Sequence, residues 1–404
     1  MLEKGSGFAA GLAGIPRYLN LHTISSGLVA GVFNLGPLLL LTDLARRAGL
    51  TAGELSSWFA AVFIAGALLT FILGLYYQKP INGAWTIAGA VVVGGALQYY
   101  SLAEVAGASV AAGFLVAACG QLGWVAPIIR WLPLPVVMGM IGGTLLSFGL
   151  QLPHALVTAP FLTGIPITGY LLLTRYFPRL PGVLGAMVLG LAAALFSGDL
   201  ETAAFRLALS RPQLLWPEFS LPVILAVGLP LALMIIGAEN MQAIGILLSE
   251  GYGGEDHNDI PVNTMMLLSG LATMGAALFG GHAANIAGVK TALCATANHV
   301  PKEGRYVASL VEGVVFLAIG IFAPTMLSLV AILPGELLQV VTALALVPVL
   351  GSTFRIAWQG EFPLGSTFAF LFAASGITIY GIGAPLWSLI MGVGVAIITG
   401  EKKI

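Results

Sequence analysis

Charge is what this sequence has least of: of 404 residues only 8% are Asp, Glu, Lys or Arg, while 58% are hydrophobic. Soluble domains carry roughly 25% charged residues, so a water-soluble globule would leave most of this chain with no surface to offer water. A net charge of −1, with no basic run, gives no sign of a nucleic-acid partner. The two cysteines, Cys119 and Cys294, both sit in apolar runs and imply no disulfide framework. The five histidines are scattered, so no cluster of metal ligands forms and neither a metal nor a cofactor is expected. There is no phosphate-binding loop, nucleophile elbow or zincin motif, and no soluble domain to hold ATP. These absences argue against an enzyme and against primary pumping. The opening "MLEKGSGFAAGLAGIPRYLN" lacks the compact apolar region and cleavage site of a signal peptide; residues 1–18 read as a cytoplasmic lead-in.

What is present is a succession of apolar stretches, each about as long as a helix needs to cross a bilayer core. Runs such as "ASVAAGFLVAACG" do not alternate, which excludes a β-barrel. Spans fall at roughly 19–41, 54–76, 84–98, 103–122, 134–150, 156–176 and 182–198. After a more polar linker at 199–220 they resume at roughly 221–247, 261–279, 284–298, 305–331, 335–350, 365–380 and 384–399. The expectation is an all-α integral membrane protein of fourteen segments, in repeats at 19–198 and 221–400. Seven segments per half would invert one repeat relative to the other. With both termini inside, eleven of the sixteen Lys and Arg fall on the cytoplasmic side. Four (Arg46, Arg47, Arg206, Arg211) fall outside, and Lys290 is in the membrane. This bias supports a multi-pass cell-membrane protein with cytoplasmic termini, against which the Arg46–Arg47 pair is a local exception.

The third and tenth spans are short, and each follows a glycine-bearing polar approach, "PINGAWTIAG" and "FGGHAANIAGVKTALC". Irregular backbone at membrane depth survives only where protein buries it or water reaches it. Gly280 and Gly281 permit an extended or turned approach, with a half-helix then expected from about Ala283 or Ala284. Trp85 and Thr86 would begin the other. Two half-helix N-termini facing each other offer free N–H groups and positive dipole ends to an anion or polar solute. On this reading Ala84, Trp85, Thr86, Gly281, His282, Ala283, Ala284 and Asn285 surround the ligand, while a glycine kink used only for packing is the bland alternative. Glu239, deep in the eighth span, shares a helical face with Gln242, and Asn240 is turned about 100° from it. Low dielectric disfavours a bare carboxylate, which makes Glu239 a candidate proton carrier; a permanently hydrogen-bonded structural Glu is the other reading. His282 is open to ligand contact, proton relay or helix capping. Lys290 would face away from Asn285, toward Glu239 or Glu312 as a charge partner. His22 and Asn34 are weaker candidates, read as interhelical hydrogen bonders.

At these residues the chain resembles the benzoate/proton symporter family over essentially its full length. The resemblance rests on Gly280-Gly281-His282 with Asn285-Ile286-Ala287-Gly288-Val289-Lys290-Thr291-Ala292-Leu293-Cys294, and on Pro80-Ile81 with Ala84-Trp85-Thr86-Ile87-Ala88-Gly89. It implies the inverted-repeat fold shared with uracil/proton symporters, with half-helices in segments 3 and 10, and often a homodimer. A core domain (about 19–122 and 221–331) would move against a gate domain (about 134–198 and 335–400). Three departures stand out: the family pattern has a neutral residue at Glu239, Thr at Lys290 and Pro at Ala88. The expected function is proton-coupled symport of a small aromatic carboxylate such as benzoate, with proton coupling through Glu239 and His282. A nucleobase or other heterocycle held by Glu239 and Gln242 is the first alternative, and an anion channel or uncoupled facilitator the second.

Overall fold

The computed structural model describes residues 2–32, 35–125, 133–178, 180, 182–198, 205–253, 259–295, 300–379 and 382–401. Six helices among them are long and apolar enough to cross a membrane: Ala52–Tyr77, Leu102–Leu122, Leu134–Thr158, Leu221–Leu248, Lys302–Ile321 and Gly335–Trp358.

The expected lead-in is itself helical, α1 (Phe8–Tyr18). It lies against the end of α4 (Ala52–Tyr77), where Gly7 N donates to Tyr76 O and the Phe8 ring meets Tyr76. The first span is helical on either side of residues 33–34, as α2 (Leu21–Val32) and α3 (Leu35–Arg47), and Asn34 lies outside the described residues. Asp43 pairs with both Arg46 and Arg47, which offsets the charge of the arginine pair that breaks the positive-inside pattern. Capping boxes start α4 (Thr51 with Glu54) and α6 (Leu102–Leu122; Ser101 with Glu104). Between them stand strand β1 (Gly83–Trp85) and the short α5 (Ile87–Ala96). Helices α7 (Leu134–Gly149), α8 (Gln151–Thr158), α9 (Pro160–Tyr176) and α10 (Gly182–Ser197) complete the first half.

In the second half, α11 (Leu221–Leu248) contains two π turns, Ile224–Gly228 and Ile235–Glu239. Pro230 cannot donate back along the helix, and the first wide turn ends two residues before it. The second ends on Glu239, so the face that carries this carboxylate departs from regular α spacing. Then follow α12 (Val262–Ala277), β2 (Ala284–Ile286), the short α13 (Gly288–Ala295), α14 (Tyr306–Ile321) and α15 (Ala323–Ala331). The chain ends with α16 (Gly335–Trp358), α17 (Pro363–Ser375), β3 (Thr378–Ile379), β4 (Ile382–Gly383) and α18 (Ala384–Ile398).

The helical membrane architecture is as expected, with two short antiparallel strand pairs inside it, β1 with β2 and β3 with β4. Three expectations are corrected. The eleventh span is broken into α14 and α15, and the twelfth runs eight residues beyond its expected end at 350, to Trp358. The short helices begin at Ile87 and Gly288, later than expected, because the residues before them are occupied by strands.

Helix α4 packs on α14 and α12, α6 on α12 and α11, and α2 on α14, while α7 packs on α16 and α17, α9 on α10, and α17 on α18. Small residues let backbones touch: a Cβ on Gly113 of α6 would lie 2.6 Å from Gly270 O of α12. The described part of the linker, 205–220, is laid across helix ends. Ser210 N donates to Ile321 O, Gln213 N to Ser57 Oγ, Leu215 N to Leu278 O and Glu218 N to Ala103 O.

Candidate functional site

The centre of the molecule is the pairing of β1 with β2, two strands about 200 positions apart in sequence. Gly83 stands opposite Ile286, Ala84 opposite Asn285 and Trp85 opposite Ala284. Beyond the strands, Thr86 N donates to Ala283 O and Ala287 N to Asn82 O. Each strand's exit is therefore closed by the other's entry, the bond pattern of a local two-fold axis. The short helices α5 and α13 start immediately after these bonds, one at each end of the strand pair. Glycine is required here: a Cβ on Gly83 would lie 2.2 Å from Gly66 O of α4. Gly280, at φ +78°, makes the turn out of α12 in the region that favours glycine.

Glu239 is set against Thr86 at the start of α5 and Asn285 on β2. Its Oε1 accepts a hydrogen bond from Thr86 Oγ1, and its Oε2 accepts one from Asn285 Nδ2 at 2.6 Å. Thr86 is the N-cap of α5, accepting from Gly89 N at 2.9 Å. The carboxylate thus draws one donor from each half of the chain. Thr86 is fully buried and Asn285 nearly so, while Glu239 and Gln242 are half-buried and Gly245, further along α11, is exposed. Gln242 packs against Gly288 at the start of α13, where an added Cβ would meet its Cβ at 2.9 Å. Asn240, fully buried, faces the other way. It accepts from Ile286 N at 2.7 Å and donates to Ser269 Oγ at 3.1 Å.

His282 and Trp85 stand elsewhere than a helical reading puts them. His282 is fully buried, and both ring nitrogens are taken: Trp58 Nε1 donates to Nδ1 at 2.8 Å, and Nε2 lies 2.9 Å from Thr86 O. This arrangement fits a neutral ring with its proton on Nε2. Trp85 is on a strand, so alternation turns it to the face opposite Ala84 and Asn285. There it packs on Phe63 and edge-on to His282. The expectation that Trp85 starts a helix is corrected, and its ring belongs to the packing behind the strands. Gly281, Ala283 and Ala284 supply backbone there, and Ala284 N is held by Thr273 Oγ1 at 2.9 Å.

Lys290 and Glu312 meet at 2.5 Å, both fully buried. Asn285 is on β2 and Lys290 on α13, so helical spacing does not relate their directions as expected. Lys290 Nζ also donates to Gly83 O at 2.7 Å and lies 3.5 Å from the centre of the Phe316 ring. Glu312 Oε2 accepts from Asn82 Nδ2 and Thr70 Oγ1, and Ser309 Oγ donates to Asn82 Oδ1. Sequence reading passed over Trp58, Thr70, Asn82, Ser269, Thr273 and Ser309 as site residues. The available signal was polarity inside an apolar span, the same criterion that singled out Glu239. His22 lies at the exposed start of α2, with its N–H on Asn20 Oδ1.

A cavity of about 500 Å³ opens near the far end of α5, between Val91, Val92 and Val227 on one side and Gly143, Thr144 and Ala373 on the other. Among the described residues no group of His, Cys, Asp and Glu is arranged to hold a metal ion.

The sequence model of a family described as "Benzoate membrane transport protein" matches residues 17–398. The chain is 30% identical over 347 residues to the inner membrane protein YdcO of Escherichia coli (strain K12), covering 85% of this chain and 87% of that protein. It is 27% identical over 372 residues to the benzoate membrane transport protein of Acinetobacter baylyi, covering 92% and 93%. Among solved structures it is similar to SLC26A9, with a TM-score of 0.63 at 15% identity over 96% of this chain and 67% of that one. It is also similar to the transmembrane domain of the cyanobacterial bicarbonate transporter BicA, with a TM-score of 0.50 at 17% identity over 94% and 99%. At these identities the structural likeness is one of fold.

Proposed function

Because the chain belongs to the benzoate membrane transport protein family, we propose that it moves a small aromatic carboxylate such as benzoate across the membrane together with a proton, by alternating access. The observation that carries this reading is the seat of Glu239. Its carboxylate accepts from Thr86, the N-cap of α5, and from Asn285 of β2, a set of donors suited to an anion. A substrate carboxylate needs the same donors. Ionised Glu239 competes with it and repels it; protonated Glu239 does neither. Proton and substrate binding thus strengthen each other, as linkage requires. Ala84 and Gln242 border the solute, while Trp58 and His282 clamp the strands behind it.

The two packing groups described above are read as core and gate. The strands, α4, α5, α6 and α11–α14 would travel as one body past α7–α10 and α16–α18, and the cavity beside Val91 and Thr144 lies between the groups. The fourteen segments, inverted as two sets of seven, have both termini cytoplasmic in the inner membrane, and two copies pair as a homodimer. The second reading, a neutral heterocycle, draws on Gln242 lying beside Glu239 as a donor–acceptor pair.

Proteoliposomes decide between them. With an inward proton gradient, labelled benzoate should accumulate and unlabelled benzoate should compete, while uracil and xanthine should not. Glu239→Gln should still exchange benzoate but fail to accumulate it. Competition by the bases alone would overturn the carboxylate reading, and currents far above transporter turnover without pH dependence would point to a channel.

A further inference from the structure

We propose that the ammonium of Lys290 is a built-in cation filling a monovalent-cation site, which frees the protein from any need for sodium or potassium. The ligand set is that of a cation site: one carboxylate oxygen (Glu312 Oε1, 2.5 Å), one backbone carbonyl (Gly83 O, 2.7 Å) and one aromatic face (Phe316, 3.5 Å). All of it is out of water, with Lys290 1% and Glu312 0% exposed. The carboxylate is built independently of its lysine, since Asn82 and Thr70 hold its second oxygen and Ser309 steadies Asn82. The position also has a purpose. Gly83 belongs to β1, Lys290 to α13 and Glu312 to α14, so one positive charge ties a strand of the first half to two helices of the second. A dissociable ion there would let the strand pair loosen each time it left. A tethered one keeps the pair closed throughout a transport cycle.

The inference is independent of the substrate reading, because its readout is thermal stability without substrate. Wild type, Lys290→Ala and Lys290→Ala/Glu312→Gln are unfolded in choline, sodium, lithium and potassium chlorides at one ionic strength. Lys290→Ala leaves a carboxylate facing the space of a four-carbon arm. In choline it should melt well below wild type. In sodium or lithium its Tm should climb with the logarithm of concentration, roughly 2 °C per tenfold. Wild type and the double variant should show no such climb. An equal Tm for Lys290→Ala in choline and in every alkali salt overturns the proposal, as does an equal response in the double variant. Recovery of folded Lys290→Ala in sodium but not in choline supports it. Folding in neither, while Lys290→Met/Glu312→Gln folds, overturns it, because a small ion would then not replace the tethered one.

Discussion

Thr86 and Asn285 do different work on the same carboxylate. Thr86 accepts from Gly89 N while donating to Glu239, so Thr86→Ala removes an N-cap, worth about 1 kcal/mol, together with a ligand-site donor. Asn285→Ala removes only the donor. Both should weaken benzoate binding by roughly tenfold or more, the scale of one hydrogen bond to a charged group. Thr86→Ser should restore most of the loss. Asn285→Asp should be worse than Asn285→Ala, because it sets a second negative charge beside Glu239; titration calorimetry would rank the four variants. His282 predicts a contrasting pattern. Trp58 N–H and Thr86 O are both bonded to it; Thr86 O also accepts from Ala90 N, so His282→Ala leaves the buried Trp58 N–H unpaired, at about 1–3 kcal/mol. Thermal unfolding should register that loss. In whatever protein remains folded, the pH dependence of benzoate uptake should be unchanged; a shifted profile would restore His282 as a proton carrier.

At the scale of elements, the strand pair explains what was and was not legible in the sequence. Apolar runs announced the long helices, and two short spans behind glycine-bearing approaches announced the broken segments. The strands did not announce themselves. "GAW" and "ANI" are three residues each, too short to show an alternation, and the partner that makes them strands is about 200 residues away. Consequently the helix starts were read three or four residues early, and Trp85 was turned to the wrong side. The linker is a similar case. Its polar sequence gave no hint that backbone bonds to Ala103, Leu278 and Ile321 pin it down. The strand pair makes a sharp demand on Gly83, whose added Cβ would drive into the Gly66 carbonyl. Gly83→Ala should therefore abolish transport and lower the yield of folded protein. Gly275→Ala, with nothing within 4 Å of its new Cβ, should be silent or slightly stabilising. Equal behaviour of the two would contradict the strand pairing as a structural requirement.

For the whole molecule, orientation and coupling are the properties to be tested. The proposed topology puts the turn between α5 and α6 outside and the turn before α14 inside. Tyr99 on the first is well exposed. Tyr99→Cys should be labelled by an impermeant maleimide in intact cells and Lys302→Cys only after permeabilisation, both in a background lacking Cys119 and Cys294. The proposed coupling rests on Glu239 and the substrate carboxylate sharing the donors Thr86 and Asn285. The most direct measurement is the number of protons taken up as purified protein binds benzoate near neutral pH, from calorimetry in buffers of different ionisation enthalpy. The account predicts net uptake approaching one proton per benzoate in wild type, and none in Glu239→Gln, which should still bind. Proton uptake that survives in Glu239→Gln, or benzoate binding to wild type with none, would contradict it.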